Sequence, residues 1–119
     1  MSAYNFSRDP QETPPVETEY RRIQTPIPAP GTEAVLGELE ACESRSMHGH
    51  LPIVWDRATD FSVYDCAGNK WIDFTSTIFV TNIGHANPRL VAAVKRVLDK
   101  ELVHTYTYPH EIRSEYLKK

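Results

Sequence analysis

No apolar run in this chain approaches the roughly twenty residues that a membrane span requires. The N-terminus lacks the apolar core of a secretory signal. Asp9, Glu12, Glu17 and Glu19 dilute Arg8, Arg21 and Arg22, which disfavours a mitochondrial presequence. There is no excess of basic residues. The net charge is −3, and without a basic stripe to neutralise phosphates a nucleic-acid footprint is excluded. Cysteine is scarce. Cys42 and Cys66 are the two in the sequence, expected to be reduced and partly buried rather than bridged. No serine sits in a nucleophile elbow, and no glycine-rich loop offers a phosphate cradle. These absences predict a soluble cytoplasmic protein with no membrane or nucleic-acid partner.

Large apolar residues are also sparse at the start. Residues 1–31 hold six of the nine prolines: Pro10, Pro14, Pro15, Pro26, Pro28 and Pro30. Such a stretch buries too little apolar surface to offset the entropy of ordering it. It is expected to be an extended and flexible N-terminal arm, either a free tail or an arm lying across a partner subunit. Fewer than 90 residues then remain to build a core, which is marginal for an independent domain.

Within residues 32–119 the periodicities change from element to element. Thr32 is expected to cap a helix reaching about Met47, with Val35, Leu36, Leu39 and Cys42 on one face. Residues 53–56 are a short strand candidate. Phe61 to Tyr64 alternates with period two. The sequence Cys66-Ala67-Gly68-Asn69 has the composition of a tight turn, and residues 70–74 return as a second strand. The connection is too short for a crossover, so the pair must be antiparallel. Residues 75–83 are β-branched and threonine-rich, which predicts strand or irregular coil. Asn87 followed by Pro88 predicts a helix start, and Leu90, Val91, Val94, Val97 and Leu98 give that helix an apolar face to about Glu101. Pro109 is expected to open a last helix carrying Ile112, Tyr116 and Leu117. The predicted class is α+β.

Candidate chemistry is thin. His48 and His50 have no Cys or carboxylate at ligand spacing and are read as a solvated loop. Asp56, Asp60, Asp65 and Asp73 are spread around a hairpin and suit turns and strand ends better than paired acid–base work. Gly84 and His85 precede the Asn87 cap. They are read as a structural turn, with glycine allowing a sharp bend and His85 orienting it by a hydrogen bond. These residues do not add up to a complete active site, so no catalytic residue and no metal ligand are assigned.

One ordered set of motifs is specific. It runs through Pro52-Ile53-Val54, then Val63-Tyr64-Asp65-Cys66-Ala67-Gly68-Asn69, then Trp71-Ile72-Asp73-Phe74. It continues through Ser76-Thr77-Ile78-Phe79-Val80-Thr81-Asn82-Ile83-Gly84-His85, Pro88 and its helix, and ends on His104-Thr105 and Tyr108. Over residues 50–119 this order resembles the N-terminal region of class III aminotransferases, which use pyridoxal 5'-phosphate. Thr77 departs from the pattern by standing where the family usually has glycine, which tightens the backbone at the pocket rim.

The resemblance implies the N-terminal segment of an aspartate aminotransferase-like fold. Residues 32–119 would belong to its small domain, leading towards a large domain beyond them, so that the segment is incomplete alone. It implies an amino donor, a 2-oxo acid acceptor and a homodimer in the full-length enzyme. Ile78 would line the substrate pocket, with Tyr108 and Tyr106 near its mouth. An isoleucine at that position resembles the 4-aminobutyrate enzymes more than the ornithine enzymes, which place an aromatic there. The Schiff-base lysine, the aspartate at the pyridine nitrogen and the phosphate cradle match no position in this chain. The cofactor-binding residues therefore stay unassigned, and the 119 residues alone are expected to be inactive. The alternatives are a non-catalytic truncated product, a dimer-interface module, or an unrelated small α+β binding domain.

Overall fold

The computed structural model describes residues 6–102 and 108–118 and divides the chain into two compact units, one ending at His85 and one starting at Ala86. The first unit is built on an antiparallel sheet of order β1-β2-β5-β4-β3. Its strands are β1 (Val16–Glu17), β2 (Arg22–Ile23), β3 (Trp55–Thr59), β4 (Ser62–Asp65) and β5 (Lys70–Ile72).

The expected hairpin is β4–β5, with Ser62 opposite Ile72, Val63 opposite Trp71 and Tyr64 opposite Lys70. Its turn is closed by one carboxylate. Asp65 Oδ1 accepts from the amides of Ala67 and Asn69, and Oδ2 accepts from the Asn69 side-chain amide at 2.8 Å. Gly68 takes φ +85° inside it, a conformation that glycine reaches without steric cost. Val63 is 2% exposed and is the most buried apolar side chain. The short strand expected at residues 53–56 lies later, at Trp55–Thr59. It pairs with β4 through the two-residue connection Asp60-Phe61, with a register shift between Trp55 and Arg57. Asp60 adopts φ +50° at this tip, a conformation that Asp tolerates better than most residues.

The described part of the expected N-terminal arm makes specific contacts with the sheet. From Gln11 onward the chain is extended, as expected, but it is tied to the sheet: Arg22 pairs with Lys70, and Ile23 is buried. The physical reason is Asn69, which is fully buried. Its Oδ1 accepts from the Gln24 amide at 2.8 Å, and its Nδ2 donates to Thr25 Oγ1 at 2.7 Å. Hydrogen bonding to the turn thus replaces the apolar burial that the arm lacks. The prolines fit beside these bonds because they have no amide to leave unpaired. The Ile27–Pro28 peptide is cis.

Helix α1 spans Thr32–Cys42 and is shorter than expected. Gly31, not Thr32, holds the cap position, and Thr32 is the first helical residue. Glu43 is extended, and a 3-10 turn at Arg45–Met47 follows, capped by Ser44. Ser44 Oγ accepts from the Ser46 amide here, a local bond that competes with continuing the helix. Arg8 is paired with Glu33 and Glu40 on this helix. Both cysteines are free and exposed, not partly buried as expected: Cys42 ends an exposed helix, and Cys66 faces out of the turn.

The second unit holds α3 (Pro88–Leu98) and α4 (Glu111–Leu117). Asn87 Oδ1 accepts from the amides of Arg89 and Leu90, so α3 starts where the Asn-Pro pair predicts. His110 caps α4 through Nδ1, one residue after Pro109. Arg96 pairs with Glu115, and Lys100 with Glu111, on exposed surface where such pairs contribute little. Tyr106, His104 and Thr105 lie outside the described residues. No helix among the described residues is long and apolar enough to cross a membrane.

Candidate functional site

The residues between β5 and the end of the first unit carry the least ordinary geometry. Ser76, Thr77, Ile78 and Phe79 have φ of 48°, 51°, 58° and 68°. Together they form α2 (Ser76–Phe79), a single left-handed turn closed by the Phe79 amide donating to Thr75 O at 2.9 Å and the Val80 amide to Ser76 O at 2.8 Å. Of the stretch 75–83, expected to be strand or irregular coil, residues 76–79 form this turn instead and residues 80–83 are irregular. Left-handed helix costs on the order of 1–2 kcal/mol per non-glycine residue, and two of these four residues are β-branched.

Asp73 opposes that cost. Its Oδ1 accepts from the Thr75 amide at 2.9 Å and the Thr75 hydroxyl at 2.8 Å. Its Oδ2 accepts from the Thr77 amide at 3.1 Å and from His85 Nε2 at 2.8 Å. Hydrogen bonds to a charged acceptor contribute about 1.5–3 kcal/mol each, and the one from the Thr77 amide acts directly on a positive-φ residue. The Asp73 side chain is 3% exposed and that of His85 11%. Burial pushes the Asp73 carboxyl up, but the bonds from His85, Thr75 and Thr77 outweigh it and hold the group below its ordinary value.

His85 is fixed in turn. Its amide donates to Asp60 O at 2.7 Å, and its carbonyl accepts from the Asp60 amide at 2.8 Å. The Trp55 ring meets the imidazole edge-on at 5.8 Å. Gly84 makes the approach possible. It has φ +86°, and a Cβ there would lie 2.9 Å from Asp60 Oδ1. The result is a polar cleft of about 210 Å³ between Asp60, Asp73, Ser76, Thr81 and His85, with Thr81 Oγ1 buried and unpartnered.

The structure therefore joins Gly84 and His85 to Asp73 and Asp60, which were read as scattered turn residues. The Asp73-Phe74-Thr75 order, a carboxylate two residues before a threonine amide, is the local signal for the turn. Ile78 sits in the left-handed turn and is 70% exposed, beside the exposed Phe79 and Val80. Tyr108 is exposed and belongs to the second unit.

A larger cavity of about 540 Å³ lies against α1, lined by Phe6, Leu36, Leu39, Met47, His48 and Trp55 among others. His50 also lines it, but no group of His, Cys, Asp or Glu among the described residues could hold a metal. Neither cavity is lined by a lysine. Lys70 Nζ donates to Glu19 O, and Lys100 pairs with Glu111.

Residues 44–117 match the family model described as aminotransferase class-III. The chain belongs to the class III aminotransferase family. It is 37% identical over 76 residues to the acetylornithine aminotransferase of Methanocaldococcus jannaschii, covering 60% of this chain and 19% of that protein. It is 39% identical over 85 residues to the 4-aminobutyrate aminotransferase of Mycobacterium tuberculosis, covering 71% of this chain and 19% of that protein. It is 31% identical over 88 residues to the ornithine aminotransferase of Brevibacillus brevis, covering 74% of this chain and 22% of that protein. The chain thus spans about a fifth of the length of these curated relatives.

Proposed function

We propose that these residues form the N-terminal part of a pyridoxal phosphate-dependent transaminase that moves an amino group from an ω-amino acid, of the 4-aminobutyrate type, to a 2-oxo acid. The family match over residues 44–117 carries this reading. Relatives named for 4-aminobutyrate, ornithine and acetylornithine support an ω-amino donor as a class. The choice within that class rests on Ile78. A small apolar side chain suits a methylene chain, whereas a hydroxylated aromatic would hydrogen-bond a second amine. In this reading the segment belongs to an aspartate aminotransferase-like fold. Ile78 supplies a pocket wall, with Tyr108 and Tyr106 near the mouth, in a homodimer. The cofactor's chemistry is that of an electron sink for the donor carbon, and its lysine and phosphate partners lie outside these residues.

The test is donor competition on the protein isolated from its source with its cofactor. Preference for 4-aminobutyrate over ornithine is expected, and Ile78→Tyr should move that preference towards ornithine by about tenfold or more. Absence of cofactor-dependent transamination with any ω-amino donor would overturn the proposal.

A second reading is a non-catalytic interface module. The observation favouring it is exposed apolar surface: Phe74 is 89% exposed and Phe79 84%, and Leu90, Val94 and Leu98 on α3 are each about half exposed. A specific, stable oligomer of the 119-residue chain, without cofactor binding, is the outcome it predicts.

A further inference from the structure

The left-handed turn is not held by its own side chains. Ile78, Phe79 and Val80 are largely exposed, so packing among the described residues does not account for four consecutive residues at positive φ. Asp73 is the side chain that bonds the turn from outside: its Oδ2 takes the Thr77 amide, its Oδ1 holds Thr75 just before the turn, and its fourth donor is the imidazole of His85, twelve residues along the chain. His85 is itself anchored to the β3–β4 tip by two backbone bonds to Asp60.

We infer that Asp73 and His85 are positioning residues for Ile78. The pair locks the Ser76–Phe79 turn left-handed and so fixes where the Ile78 side chain is presented. Its consequence for donor choice rests on the reading of Ile78 as a pocket wall. The lock itself is a matter of backbone geometry and stands apart from that reading.

Thr77 is the sharpest point of the lock. Its amide donates to the same Oδ2 that binds His85, while its φ of 51° is strained for a β-branched residue. Loss of the His85 bond should release the turn towards negative φ. Glycine at position 77 should hold the left-handed form without the bond, because glycine takes positive φ freely.

The test is NMR of the whole protein that carries these residues, selectively labelled at threonine, isoleucine, valine and tryptophan, reading the intraresidue amide-to-Hα cross-peaks of Thr77 and Ile78. Positive φ brings these protons close and makes the peaks strong. Strong peaks are expected in the wild type. They should weaken at least twofold in His85→Ala, with the shifts of Val63 and Trp71 in the hairpin unchanged. His85→Gln, which replaces the Nε2 donor with an amide, should restore them. If His85→Ala unfolds, the double variant His85→Ala with Thr77→Gly should refold, and failure to do so contradicts the lock. Weak peaks in the wild type, or strong peaks that survive in a folded His85→Ala, also overturn it. A lock that behaves as expected, in an enzyme whose donor preference is unmoved by Ile78→Tyr, would sink the pocket-wall reading alone.

Discussion

His85 Nε2 lies 2.8 Å from Asp73 Oδ2, and the Asp73 side chain is almost wholly buried. This contact joins the end of β5 to the turn before α3. It also ties a strained segment to the tip of the β3–β4 hairpin, through the paired backbones of His85 and Asp60. Replacing Asp73 with Asn keeps the size but removes the charge and turns one acceptor into a donor. Asp73→Asn should lower stability by about 2 kcal/mol or more, read as a shift in the urea midpoint with an unchanged slope.

The same carboxylate sets an acid dependence. Its folded-state value lies below the ordinary one. Its contribution to stability is therefore complete above the usual aspartate range, about 3.9, and is lost as pH falls through the lower folded value. His85 and Asp60 are the titratable groups around it in the cleft. The gap in stability between wild type and Asp73→Asn should narrow as pH falls below about pH 4. Thermal unfolding of both proteins as pH is lowered through that value checks this. A gap that keeps widening below about pH 4 would contradict the assignment.

Gly84→Ala should be costly for a protein surface position. The residue has φ +86°, and the new methyl would meet Asp60 Oδ1 at 2.9 Å. A loss of about 1–2 kcal/mol is expected from the backbone alone. Chemical denaturation measures it, and the Asp60 and His85 amides should show faster hydrogen exchange than those of β4 and β5.

Asn69→Ala should free the N-terminal segment while leaving the hairpin paired. It removes the Oδ1 acceptor of the Gln24 amide and the Nδ2 donor to Thr25 and to Asp65 Oδ2, but the Ala67 and residue-69 backbone amides still bond Asp65 Oδ1 and keep the turn closed. The predicted result is rapid proteolytic cleavage between Thr18 and Arg22, with protection kept at Val63 and Trp71. Equal protection of the segment in the variant would show that the Arg22–Lys70 pairing and the burial of Ile23 suffice without it.

Much of the scaffold was legible in the sequence. Alternation at Ser62–Asp65, the Gly68-Asn69 turn and the return through Trp71 predict the hairpin, and Asn87-Pro88 predicts the start of α3. Each of these signals is local. The misreadings involve contacts that cross the chain. The prolines of residues 1–31 argue against burial, yet Asn69 fastens that segment from 45 residues away. Thr, Ile and Val at 75–83 favour extended backbone by local sterics, yet the Asp73 carboxylate holds a left-handed turn against them. The Asp73–His85 contact is set by topology and carries no spacing signature. Thr77, noted as a departure from a family glycine, marks the left-handed position in retrospect: a residue with φ 51° stands where glycine is usual.

The most direct test of the proposed function is to locate the cofactor's lysine. The protein carrying these 119 residues is isolated from its source and reduced with borohydride to fix any pyridoxal phosphate, and the modified peptide is sequenced by mass spectrometry. The account predicts one modified lysine, in a peptide outside these 119 residues. Modification at Lys70, Lys95, Lys100, Lys118 or Lys119, or a purified protein that carries no pyridoxal phosphate, would contradict it.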